Sequence, residues 1–323
     1  MVVAALRSIE DDLHRVEALL QELLERRAGF LKHPAGTMFR SGGKRLRPAL
    51  VLLAQRLFGP SHPGAVSLAA AIEMIHGASL LHDDVLDETT VRRGQPTLNA
   101  SLGNRFSVLL GDFLLCQALL AVADLDRVVL LQVISQAVAD MTSGQILELT
   151  HQGNLDTSVE NYMEIVGGKT ASLMVAGCKL GALLGEASAE DVERIGRFGY
   201  NVGMAFQIVD DVLDFWGEPS VLGKPTGSDL REKKYTLPFI DAYQRAEPQE
   251  RERVHRLLSN GTLEGGGLDE VVRFMEKHDT RRRSLEVAED YVRIAGEELA
   301  RVPPCPDREC LRELLSYVTA RDR

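Results

Sequence analysis

Apolar residues recur at steps of three and four along nearly the whole chain, and no stretch alternates at period two for a useful length, so the pattern predicts helices and no sheet. Residues 3 to 27 carry Leu6, Ile9, Leu13, Val16, Leu20 and Leu23 on one stripe of an amphipathic helix whose task is packing. Residues 64 to 87 read as a longer and more apolar helix, and residues 104 to 150 as two more. After a loop from His151 to Thr157, one helix carries Gly167-Gly168-Lys169-Thr170, another spans 187 to 217, and from Tyr235 to Arg323 helix follows helix. The Gly/Pro clusters at Gly59-Pro60, Gly265-Gly266-Gly267 and Pro303-Pro304 are too short to divide domains and read as turns. The expectation is an all-α single domain over residues 1–323, with helices around a central cavity.

Composition narrows the setting. The chain has 323 residues, 45% of them hydrophobic, and a net charge of -10, enough for a large core and an argument against nucleic acid as a partner. The N-terminus turns charged after its first six residues, too soon for a signal peptide. Phe106 to Ala123 comes nearest to a membrane span, but it is short and carries Asp112 and Gln117, so a buried core helix is expected and no transmembrane segment. Four cysteines without a CxxC pair point to a reducing, cytoplasmic location.

One pentapeptide occurs twice, letter for letter: Asp83-Asp84-Val85-Leu86-Asp87 and Asp210-Asp211-Val212-Leu213-Asp214. On a helix the first and fifth residues share a face, with the second about 100° round. Two carboxylates about 6 Å apart at an effective dielectric near 20 repel by roughly 3 kcal/mol, so a cation has to offset them. Oxygen-only ligands select hard ions, and Mg²⁺ prefers one or two carboxylates plus substrate phosphates. Two such helices facing each other make a clamp for a metal-bound phosphate ester. A solvated acidic face is the alternative, and the apolar flanks Ala78-Ser79-Leu80-Leu81 and Ala205 to Val209 argue against it.

Basic groups accompany both motifs. Ser41-Gly42-Gly43-Lys44-Arg45-Leu46-Arg47-Pro48 joins paired glycines to three cations, and Lys44 and Arg47 point the same way on a nascent helix, which suits a phosphate or, alternatively, an unliganded basic loop. His76, two turns before Asp83, is either a core residue or a ligand group. Arg92-Arg93 follows the first acid motif in a turn, where the guanidiniums can pair with its aspartates or with a phosphate held by metal and arginine together. Gly167-Gly168-Lys169-Thr170 is not a Walker loop, because Met163 stands where that motif needs glycine. Phe206-Gln207 precedes the second acid motif, and Gly217 to Gly227, a lid-like stretch with Lys224, and then Lys233-Lys234 follow it.

Together these motifs, in this order, resemble the trans-type isoprenyl diphosphate synthases, or polyprenyl synthetases, over roughly residues 25 to 320. The resemblance implies the isoprenoid-synthase helical fold, a homodimer, and trans-selective joining of isopentenyl diphosphate to an allylic diphosphate with Mg²⁺, three ions once substrate is bound. It assigns Asp83, Asp87 and Asp210 to metal, with Asp84, Asp211 and Asp214 completing or supporting that shell. It places Arg92, Lys169, Lys224 and Lys234 on the allylic diphosphate, and Thr170 and Gln207 near its reacting carbon. Gly43, Lys44, Arg47, His76 and Arg93 fall to isopentenyl diphosphate. Lys169, Thr170, Gln207 and Arg92 would carry catalysis. Lys233 stands where the family often has glycine.

The resemblance also implies a product ruler. Short-product members place a bulky aromatic beside the position held here by Ala78 and Ser79, and below these come Met74, Ile75, Ala70 and Ala71. One helical turn rises about 5.4 Å, close to one extended isoprene unit. The open path favours a heptaprenyl or octaprenyl product; a short-chain synthase is the alternative, whereas a class I terpene cyclase or a subunit of a heteromeric synthase fits less well. A cyclase would carry (N/D)Dxx(S/T)xxxE at its second motif, and here Asp214 replaces the hydroxyl residue.

Overall fold

The computed structural model describes residues 6–27, 45–92, 94–218, 226–259 and 266–320. A single 3₁₀ turn, Arg7–Ile9, leads into α1, Glu10–Arg27. Ile9, Val16 and Leu20 are buried, so the expected stripe is the buried face. An Arg56 to Asp12 contact of 2.5 Å ties α1 to α2, Leu46–Phe58. Next comes α3, Gly64–Leu86, which ends on the first acid motif.

A two-residue hairpin, β1 Val91–Arg92 and β2 Gln95–Pro96, turns the chain back and is the only strand pairing among the described residues. It leads through α4, Leu98–Leu102, to α5, Asn104–Ala123, and α6, Val128–His151. Helix α7, Val159–Val166, opens on a capping box in which Ser158 and Asn161 bond reciprocally. It runs without a break into a π turn, Gly167–Ala171, and on into α8, Ser172–Leu184. Ser188 caps α9, Ala189–Trp216, which carries the second acid motif. The remainder is α10 (Ser228–Arg231), α11 (Leu237–Arg245), α12 (Pro248–Ser259), α13 (Gly267–Lys277), α14 (Thr280–Ala300) and α15 (Pro306–Ala320).

One core joins α1 through α9 to α11, α14 and α15, with α3 against α5 and α9 against α14 and α8 as its largest seams. A smaller core of Phe215, Leu230, Phe239, Val254, Val271 and Phe274 sits apart, under α10 to α13. In it Tyr235, Phe239 and Tyr243 stack along α11, with ring centroids 4.8 and 5.8 Å apart.

Helix α5 departs from the expectation of a buried core helix. Both α3 and α5 are long and apolar enough to cross a membrane by length and composition, yet 78% of that window is buried in α3 and only 39% in α5. Helix α5 packs one face, through Ser107, Leu110, Gly111, Leu114 and Ala118, and leaves Val108, Leu109 and Leu120 exposed. Apolarity along a sequence marks what avoids water, and a second covering surface meets that need as well as a core does.

Candidate active site

Three elements put charged side chains at one end of the bundle. Helix α3 supplies Asp83 and Asp87; Asp87 caps the helix, and its N–H bonds to the Asp83 carbonyl at 2.8 Å. Asp84, which is 5% exposed, turns away from them toward the hairpin and accepts both Nε and Nη2 of Arg92 at 2.8 Å. Burial pushes the Asp83 carboxyl above its ordinary range, with Lys169 and Lys234 pulling it down and Asp87 and Glu148 pushing it up. Burial likewise raises Asp84, against the opposing charge of Arg92.

The π turn supplies Lys169 and Thr170. Its close fit to α6 depends on two glycines: a side chain at Gly144 would strike the backbone N of Lys169, and one at Gly168 would lie 2.9 Å from the Asp140 carbonyl. The wide turn exposes two successive side chains to the site, a common use of π segments. Lys169 Nζ donates to Glu148 Oε2 at 2.6 Å, and Thr170 Oγ1 donates to Gln207 Oε1 at 2.9 Å. From the far side, Lys234 Nζ donates to Asp87 at 2.6 Å and Glu232 at 2.9 Å, and lies 4.0 Å from Glu148. Burial disfavours that ammonium, but Glu148, Asp87 and Glu232 outweigh it and hold its pKa above the usual lysine value. Lys233 has φ 57, a left-handed backbone that glycine adopts without strain, which accounts for glycine being favoured at that position.

On α9 the three aspartates part company. Asp211 accepts Tyr162 at 2.6 Å and Gln207 at 2.8 Å, and burial, with the nearby charge of Asp229, raises its pKa well above the ordinary value. Asp214, 1% exposed, accepts the Ser228 hydroxyl at 2.6 Å and the Asp229 N–H at 3.2 Å, so it anchors the start of α10. Asp210 stays half-buried and acts electrostatically on Arg47. Burial lowers the Arg47 pKa, with Glu73 and Asp210 opposing, and its enclosed Nε has no hydrogen-bond partner. Glu73 in turn accepts Arg45 at 2.5 Å at the start of α2.

His76 is half-buried on the same face of α3 as Asp83, and Ser79 donates to its carbonyl at 2.8 Å. Ala78 is buried, with Ala70 and Ala71 fully enclosed further down the helix. Gly43, Lys44, Arg93 and Lys224 lie outside the described residues. A cavity of about 140 Å³ is lined by Lys169, Thr170, Gln207, Asp211 and Lys234 together with Glu148, Tyr162 and Asp229. The last three have no role in the motif reading. Glu148 carried a signal, a carboxylate on an apolar helix four residues past Gly144, whereas Tyr162 looks like any core aromatic.

Among the described residues no three His, Cys, Asp or Glu side chains converge closely enough to hold a metal by themselves. The donors assigned to metal, Asp83, Asp87 and Asp210, are all carboxylates, a set that suits a hard ion completed by substrate oxygens.

A helical bundle that gathers acids and cations at one end, over apolar helices, defines an enzyme for substrates with a polyphosphate head and an apolar body. Residues 29–275 match the polyprenyl synthetase family, and the chain belongs to it. It is 35% identical to heptaprenyl diphosphate synthase component 2 of Geobacillus stearothermophilus over 314 residues, 97% of each chain. It is 36% identical to a short chain isoprenyl diphosphate synthase of Methanothermobacter thermautotrophicus over 286 residues, 87% of each. The polyprenyl synthase of Caulobacter crescentus, solved in complex with calcium and isoprenyl diphosphate, superposes with a TM-score of 0.95 at 32% identity, covering 100% of this chain and 98% of that one. The protein is thus an all-α prenyl-group transferase that elongates polyprenyl diphosphates.

Proposed function

We propose that this transferase condenses isopentenyl diphosphate with an allylic diphosphate in a Mg²⁺-dependent, trans-selective elongation that ends at seven or eight units. The observation that carries the two-substrate reading is the division of cations into two sets. Lys169 and Lys234 line the cavity and Arg92 is bound to Asp84, while Arg47 presents an enclosed, unpartnered Nε on the side of Asp210 and Glu73. Two diphosphates need two such sets.

Asp83 and Asp87 on one wall and Asp210 on the other are the metal-holding side chains in this reading. Bound there, Mg²⁺ supplies positive charge to the leaving diphosphate. The protein's own part is to take up the rest of that charge with Lys169, Lys234 and Arg92 as the allylic C–O bond ionises. The cation that forms is attacked by the double bond of isopentenyl diphosphate, and the departed diphosphate is the base that removes the proton. Apolar walls keep water from the cation. The small side chains of Ala78, a turn below Asp83, and of Ala70 and Ala71 further down α3 support the long product.

The resemblance to component 2 of a two-component synthase raises a heteromer as the second reading of assembly. We favour a homodimer across α5 and α6, because Leu109, Val128 and Ile146 are exposed there at 68, 72 and 57%. A chain that sediments alone as a monomer and gains activity only with a second subunit would overturn this. A cytoplasmic location is part of the same proposal and rests on the few, unpaired cysteines.

Labelled isopentenyl diphosphate with a short allylic primer tests the chemistry. Heptaprenyl or octaprenyl product is expected with Mg²⁺, and shorter product at retained turnover for Ala78→Phe. Full turnover in excess chelator would defeat the metal reading, and a wild-type product of three units the long-chain one.

A further inference from the structure

The second acid motif has one member whose surroundings do not suit metal binding. Asp211 is 3% exposed, and each of its oxygens already accepts a strong donor: Tyr162 OH at 2.6 Å on Oδ2 and Gln207 Nε2 at 2.8 Å on Oδ1. The Gln207 amide turns its nitrogen toward Asp211 and its oxygen away. That oxygen accepts the Thr170 hydroxyl at 2.9 Å, which commits the Thr170 proton and leaves its lone pairs unspent. The chain Tyr162, Asp211, Gln207, Thr170 spans α7, α9 and the π turn, and all four residues line the cavity that Lys169 and Lys234 also line.

We propose that Asp211 is a positioning residue and not a metal ligand: with Tyr162 it fixes the Gln207 amide so that the oxygens of Gln207 and Thr170 face the carbon that becomes cationic. This rests on the prenyl-transfer reading of the same cavity. The hydrogen bond from the Gln207 nitrogen to Asp211 polarises the amide toward its oxygen, so the chain presents preorganised negative ends where positive charge develops. The first motif is built in parallel. Asp84 is likewise turned out of line and bound to Arg92, leaving the first and last aspartates of α3 toward the site. On α9 the last one, Asp214, is also spent on an anchor.

Asp211→Asn, Tyr162→Phe and Asp210→Asn separate the roles. Each is measured for kcat, for both KM values, and for the rise in melting temperature caused by Mg²⁺ with inorganic diphosphate. Asp211→Asn replaces one of the two accepting oxygens by an NH₂, which must face either Gln207 or Tyr162 and weakens the hold on the chain, and kcat is expected to fall about 100-fold. The KM for isopentenyl diphosphate and the metal-induced shift in melting temperature should stay as in wild type. Tyr162→Phe keeps the ring in its buried place and should show the same pattern, with a fall of about 10-fold. Asp210→Asn should abolish the metal-induced shift. If Asp211→Asn loses that shift as fully as Asp210→Asn does, or if Asp211→Asn and Tyr162→Phe both keep kcat within twofold, the positioning role is wrong. If Asp210→Asn keeps the shift, it is the metal reading that fails.

Discussion

Glu148 stands between two cations that a diphosphate must find in place, 2.6 Å from Lys169 and 4.0 Å from Lys234. Without it the two ammonium groups would repel within a half-buried site, and Lys169 would lose its anchor on α6. Glu148→Gln keeps the shape and removes the charge. The expected result is a fall in kcat of about 100-fold, as for a misplaced catalytic group, with the KM for isopentenyl diphosphate unchanged. Steady-state kinetics with both substrates varied checks this, and an equal rise in both KM values would contradict it. The acid motifs were legible because a spacing of four residues puts Asp83 and Asp87 on one helical face. What could not be read is that Asp84, Asp211 and Asp214 turn to structural partners. Those partners, Arg92, Tyr162 and Ser228, lie 8, 49 and 14 residues away, and two identical pentapeptides give no hint that they are treated differently.

Among the elements, the π turn is the one on which the site depends most. Gly167 and Gly168 were visible as a helical Gly-Gly, but the widening they allow depends on α6 lying close enough to touch, which no local pattern encodes. Gly144→Ala tests that contact. Its methyl would meet the Lys169 backbone, so the mutant should lose about 1–3 kcal/mol of stability in urea unfolding as α6 is pushed off. Activity should fall further than stability explains, because Lys169 and Thr170 move with the turn. A stable mutant with normal kcat would show that the helices have room to separate. Helices α1, α3 and α9 matched their apolar patterns, since their stripes face the main core. Helix α5 did not, because hydropathy alone carries no record of which surface does the covering.

Across the whole molecule, all-α architecture followed from helical periodicity. The existence of two cores did not, because the chain passes from one to the other within α9 and without a linker. Ser228 and Asp229 grip Asp214 on one side of that passage, and Lys234 reaches back to Asp87 on the other. Helix α11 sets Leu237 and Ile240 into the main core, which leaves α12 and α13 attached chiefly through the smaller one. In hydrogen exchange, their amides should open together as one unit at low denaturant while those of α2, α3 and α8 wait for global unfolding. Mass spectrometry of deuterium uptake would reveal this as two separated protection classes, and a single class would show the two cores to be one cooperative body. Substrate that draws Asp87 and Lys234 toward separate partners would then loosen that unit from the bundle, and each catalytic cycle would leave its trace as a change in exchange rate far from the reacting carbon.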